Sequence, residues 1–243
     1  MKDADGRTLA ARVALACNIL ADQGQGDVIL GHVSARLPGG ERMLMKASGL
    51  GLEEVSPDDI LELDWDGRVW GGSGRRHSEY PIHSETYRQH PNVGCVVHTH
   101  PLNAIALVAR GETIRAVCHE GVLFHGAPVF SETTALIREP AEGRSLARTL
   151  GDHRAVLMRN HGVLVAGETV EEATVRAVLL EKAAAIQLRA GQETNLSWST
   201  DDEIELKVKQ IYNSSNIEGF FAYYARRLQT SPPPALGNDA VGS

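Results

Sequence analysis

The chain has 243 residues, 42% of them hydrophobic and 23% charged, with a formal net charge of −7. That composition suits a globular protein with a substantial core. The acidic balance and lack of a long basic run argue against a nucleic-acid partner, so an anionic substrate would need local positive charge.

Residues 8–24 carry apolar side chains at helical spacing up to a glycine, which predicts an amphipathic helix. Residues 27–38 and 41–49 read as two strands around a Pro-Gly-Gly turn. Residues 56–74 give a proline-bearing turn, a short strand and a glycine-rich loop. Residues 81–91 read as a helix with Pro81 in its first turn, where a missing N–H does no harm. A buried strand is expected at 92–98, a short helix at 101–110, and a strand pair at 122–130. Residues 134–151 read as helical with a break near Pro140, and 154–167 as strand, turn, strand. Thr169 and Glu172 have capping-box spacing at the start of a long helix that runs to Gly191. Residues 201–229 read as helical with an interruption near Asn213–Asn216. The proline-rich tail beyond 230 reads as disordered. No repeat is visible. Helices, short strands and hairpins alternate irregularly, which predicts one α/β domain over 1–230 with a mixed or largely antiparallel sheet between helix layers.

No apolar stretch has the length of a membrane span, and the opening MKDADGRTLA has no signal-peptide core. Cys17, Cys95 and Cys118 are odd in number and lack metal-finger spacing. They read as reduced thiols of a cytoplasmic protein, Cys95 as a core thiol.

Nine of the ten histidines lie between His77 and His161, which points to that region for chemistry. In the run GCVVHTHP, His98 and His100 sit two apart at the end of a strand and project from one side. Two such imidazoles are explained either by a shared cation or by structural hydrogen bonds. RNHGVLV places His161 in a turn between two apolar strands, a rim position for a third ligand. Glu79 lies between a glycine-rich loop and a proline-started helix, where it reads either as a functional carboxylate or as a solvated first-turn acid. His83 follows it at i+4 and reads as a support for it. His119 and His125 read as structural. Tyr212, Tyr223 and Tyr224 lie in the C-terminal helical region, with no role assigned.

The succession GHVSARLP, KASGLGLEEVSPDDI, SEYPIHSETYRQHPNVGCVVHTHP and RNHGVLVAGETVEEA resembles the class II aldolase/adducin family over roughly residues 8–190. The resemblance implies a three-layer α/β/α fold around a mostly antiparallel nine-stranded sheet. It also implies a homotetramer with active sites at subunit interfaces. By position, His98, His100 and His161 match the family's metal-binding histidines. Glu79 matches the acidic residue that acts as general acid/base and can ligate the metal. Three histidines and a carboxylate suit Zn²⁺, with Mn²⁺, Fe²⁺ or Co²⁺ as alternatives. The adducin branch, a structural protein, lacks these histidines.

Family members that cleave sugar phosphates show GN-[IL]-S and SSE, whose side chains hold the phosphate with a Ser-Gly turn. Here His32 takes the Asn place and His77 the place of the first Ser, while Ser78, Ser48 and Gly49 remain. With Arg75 and Arg76 the cradle becomes larger and more basic, which suits a carboxylate. These departures resemble the family's decarboxylase branch, whose members act on hydroxylated aromatic or heteroaromatic dicarboxylates. The expectation is a metal-dependent carbon–carbon lyase that decarboxylates a small hydroxylated aromatic acid. The alternatives are an aldolase cleaving a ketose phosphate or hydroxy-keto acid, and an adducin-like interaction protein.

Overall fold

Eight short strands pair into one sheet with two buried faces. The computed structural model describes residues 2–191 and 195–230, so the tail at 231–243 lies outside the described residues. The strands are β1 (His32–Arg36), β2 (Arg42–Lys46), β3 (Ile60–Asp64), β4 (Val69–Gly71), β5 (Cys95–Thr99), β6 (Val129–Phe130), β7 (Ala155–Met158) and β8 (Val163–Gly167). Their order is β4-β3-β2-β1-β5-β8-β7-β6. Every neighbouring pair is antiparallel except β6 with β7.

Val33, Ala35, Leu44, Val97, Leu157 and Val165 line one face. Helices α1 (Lys2–Leu20), α3 (Leu102–Ala109), α5 (Val170–Ala190) and α7 (Ser214–Thr230) cover it. Met43, Met45, Leu61, Val96, Val156 and Leu164 line the other face. There α2 (Tyr80–Gln89) packs beside α4 (Pro140–Leu150). The remaining helix, α6 (Asp201–Ile211), buries no residue fully. These are the three expected layers. No helix among the described residues is long and apolar enough to cross a membrane.

Four expectations change. The sheet has eight strands among the described residues, not nine. The strand pair expected at 122–130 reduces to the two residues of β6 after a short 3₁₀ turn, Glu120–Leu123. The backbone there is satisfied without a ladder: the Gly126 N–H donates to the Ile114 carbonyl, and the Thr113 hydroxyl donates to the Ala127 carbonyl. The helix expected from 134 starts only at Pro140, because a proline disfavours helical geometry in the residue before it. Finally, the strand expected over 27–38 starts only at His32, after a turn at 28–29. Cys95 is a buried core thiol, as expected.

Candidate metal centre

The antiparallel register sets His32 directly opposite His98, on adjoining strands. His100 lies one residue beyond β5, and the tight β7–β8 turn carries His161 to the same edge. Gly162 makes this approach feasible. A Cβ there would lie 2.4 Å from the Thr99 carbonyl oxygen and 2.6 Å from His100 Cδ2.

Two of the imidazoles have their tautomers set from behind. His98 Nδ1 donates to the Val163 carbonyl at 2.9 Å, and His100 Nδ1 donates to Asp27 Oδ2 at 2.8 Å. Both Nε2 atoms therefore present lone pairs, and these face each other at 3.1 Å. Two acceptors gain nothing from such proximity unless a cation lies between them. The spacing is close to the ~3.3 Å expected for two nitrogens on one tetrahedral zinc. Both ring nitrogens of His161 are buried without a hydrogen-bond partner. The three rings offer ligand atoms within 4.8 Å of one another, so the set fits a divalent cation.

Glu79 completes the cluster. It is buried rather than solvated, and its carboxylate does not cap α2. Oε1 instead accepts the Ile137 N–H at 2.8 Å and lies 3.5 Å from His161 Nε2. Oε2 lies 3.9 Å from both His98 Nε2 and His32 Nε2. Burial pushes the Glu79 carboxyl up to about 7, against the Ile137 N–H and the Arg138 charge.

The neighbouring imidazoles are held neutral. Burial, helped by the surrounding histidines, pushes His98 and His32 well down. Burial first, and His100 second, lowers His161 to about 4. Burial and Lys46 lower His77 to about 4, and burial and His77 lower His83 to about 3. An unfolded histidine takes a proton below its ordinary value of 6.5, whereas these folded ones do not. Their contribution to stability is intact above pH 6.5. It falls as the pH drops towards 4 for His77 and towards 3 for His83, by about 1.4 kcal/mol per pH unit for each. Chemical denaturation between pH 7 and 4 is expected to show this steep loss. A flat profile would mean that these rings are not buried neutral.

The residues expected to hold substrate are spread along the same edge. His32 and His77 are buried, with ring centroids 4.5 Å apart. The Ser48 N–H donates to the Arg75 carbonyl at 2.7 Å, which fastens the Ser48–Gly49 turn to the Arg75 strand of backbone. Arg75 and Ser78 are exposed, while Arg76 stacks over the Tyr80 ring at 4.3 Å. His83 does not hold Glu79 as expected: its ring nitrogens bond His32 and Ser34. His125 is structural, accepting a backbone N–H. His119 lines a separate pocket with Tyr212, Tyr223 and Tyr224.

Lys46 and Asp27 are important neighbours that no local sequence signal selects. Lys46 is fully buried, and its Nζ lies 3.4 Å from His77 Nε2. Burial lowers its pKa, opposed by Cys17, Glu53 and Glu54. No carboxylate forms an ion pair with it among the described residues.

The model of the class II aldolase and adducin N-terminal domain matches residues 11–188. The chain belongs to this family. A 3,4-dihydroxyphthalate decarboxylase of Arthrobacter keyseri is 32% identical over 193 residues, covering 73% of this chain and 76% of that protein. A 5-methylthioribulose-1-phosphate/5-deoxyribulose-1-phosphate aldolase of Escherichia coli is 29% identical over 186 residues, covering 75% and 84%. An aldolase II superfamily protein from Pseudomonas syringae superposes with a TM-score of 0.82 at 25% identity, over 92% of this chain and 93% of that one. Likeness in sequence therefore extends to decarboxylases and aldolases alike, and this chain resembles the decarboxylases of its family.

Proposed function

We propose that this protein is a divalent-metal-dependent decarboxylase of a hydroxylated aromatic or heteroaromatic carboxylate. The observation that carries the reading is a buried ammonium, Lys46, which has no carboxylate in ion-pair contact among the described residues and is set beside His77, near His32 and the three-histidine cluster. An acidic substrate finds there the local positive charge that the chain's overall balance denies it. The likeness to the Arthrobacter decarboxylase supports the same choice.

Breaking the bond to the departing carboxylate leaves an electron pair on the ring carbon. A divalent cation held by His98, His100 and His161 supplies the Lewis acid that lowers the energy of that charge. Val163 and Asp27 keep the two strand-end imidazoles in the ligating tautomer. Lys46, His77 and His32 receive the substrate's carboxylate, and Ser48, Gly49, Arg75, Arg76 and Ser78 form the outer wall of the site. Glu79 carries the proton that the carbon takes up after CO₂ leaves. Its burial favours the protonated form this role requires.

The retained Ser48–Gly49 turn and the Escherichia coli relative favour a second reading, an aldolase acting on a ketose phosphate. Metal-loaded protein should be screened against hydroxylated benzene and pyridine dicarboxylates and against ketose phosphates, with CO₂ and aldehyde both measured. CO₂ from an aromatic acid is expected. Aldehyde from a sugar phosphate, with no CO₂ from any acid, would replace the first reading with the second.

A further inference from the structure

A line of buried polar groups runs from the metal centre into the core between β1 and α2. His32 Nδ1 lies 2.6 Å from His83 Nε2, and His83 Nδ1 lies 2.7 Å from Ser34 Oγ. Ser34 Oγ in turn lies 2.7 Å from the Tyr87 hydroxyl. All four residues are buried with no carboxylate among them, and each short contact shares one proton, so each ring carries one N–H. Each link holds one proton, and the direction of one bond therefore fixes the others.

The inner end sets the direction. At the inner end, the Tyr87 hydroxyl is buried against Ser34 Oγ. The phenol proton has one acceptor among the described residues, Ser34 Oγ. Reversing the line would strand that proton among Ile82, Val96 and the other side chains of the α2 face. A stranded buried donor disfavours that arrangement by about tenfold or more. Tyr87 thus donates to Ser34, Ser34 to His83 Nδ1, and His83 Nε2–H to His32 Nδ1. The remaining proton of His32 sits on Nε2. At the outer end, that nitrogen faces Glu79 Oε2 at 3.9 Å.

We propose that Tyr87, Ser34 and His83 form a positioning relay that holds His32 in its Nε2–H tautomer, making His32 a hydrogen-bond donor to the substrate rather than a metal ligand. His32, Glu79 and His98 also offer ligand atoms within 4.8 Å of one another. The relay excludes that grouping as a second cation site, because His32 has no free lone pair on that side. The donor's target, a substrate oxygen on which negative charge collects, rests on the decarboxylase reading. The tautomer does not.

Long-range ¹H–¹⁵N spectra of zinc-loaded, ¹⁵N-histidine-labelled full-length protein read each ring's tautomer directly. Signals are assigned by their loss in His32→Asn and His83→Gln. His32 and His83 are expected as Nε2–H, and His98 and His100 as Nδ1–H. Tyr87→Phe and Ser34→Ala remove the directing proton at two points in the line. Each is expected to turn His32 into a mixture of tautomers, with metal content unchanged and kcat/KM about tenfold lower. A wild-type His32 found as Nδ1–H, or with an Nε2 shift typical of a metal-bound nitrogen, overturns the relay. So does an unchanged tautomer in both variants. Expected tautomers without decarboxylation of any aromatic acid would overturn the substrate assignment and leave the relay standing.

Discussion

Glu79→Gln is expected to lower kcat by about 10²–10⁴-fold, the range for loss of a general acid/base, while most of the metal stays bound. The substitution keeps the shape of the side chain and removes its titrating proton. Glu79 sits at the start of α2 but turns away from the helix, with Oε1 tied to the Ile137 N–H and Oε2 open towards His98 and His32. An ordinary helix-start carboxylate would be solvated, and its replacement would leave turnover nearly unchanged. Because three imidazoles remain in the variant, metal content should fall less than in any histidine variant. Turnover and elemental analysis on one preparation separate the roles. Normal kcat would end the acid/base assignment, and complete loss of metal would make Glu79 chiefly a ligand.

Alanine at His98, His100 or His161 is expected to remove most of the metal, and activity with it. The two strand-end rings already have Nδ1 committed, so their only ligating atoms are the Nε2 pair 3.1 Å apart. Asp27→Ala should have a smaller effect, about 10–100-fold in metal affinity, because it removes the group that orients His100 and not the ligand itself. His32→Asn should retain metal, since its ring is a donor in the relay. Elemental analysis of the purified variants tests this ordering. Full retention in any of the three alanine variants would remove that residue from the ligand set.

The positions of the residues proposed for this chemistry were legible because strand geometry is simple. His98 and His100 were expected on one side of a strand end, and their Nε2 atoms do converge. His161 was expected on a turn at the rim and is found there. Pro81 marked the start of α2 correctly. The relay and the outer partners were not legible, because they depend on which strands adjoin. His32 meets His98 only because β1 pairs with β5 across more than 60 residues of sequence. The i+4 spacing of Glu79 and His83 suggested a contact within α2, but the helix turns His83 towards β1 instead. Asp27 was read as part of a strand over 27–38, whereas the chain turns at 28–29 before β1 begins. Lys46 reads in sequence as the polar end of a strand, and nothing local reports that the fold buries its ammonium completely.

In the proposed reaction, carbon–carbon cleavage needs both the three-histidine centre and an acidic aromatic substrate. CO₂ release from a hydroxylated aromatic dicarboxylate, followed on one sample as isolated, after chelation and after return of a divalent metal, tests both requirements together. Release is expected to disappear on chelation and to return with the metal. Release that survives complete removal of the metal would contradict this expectation.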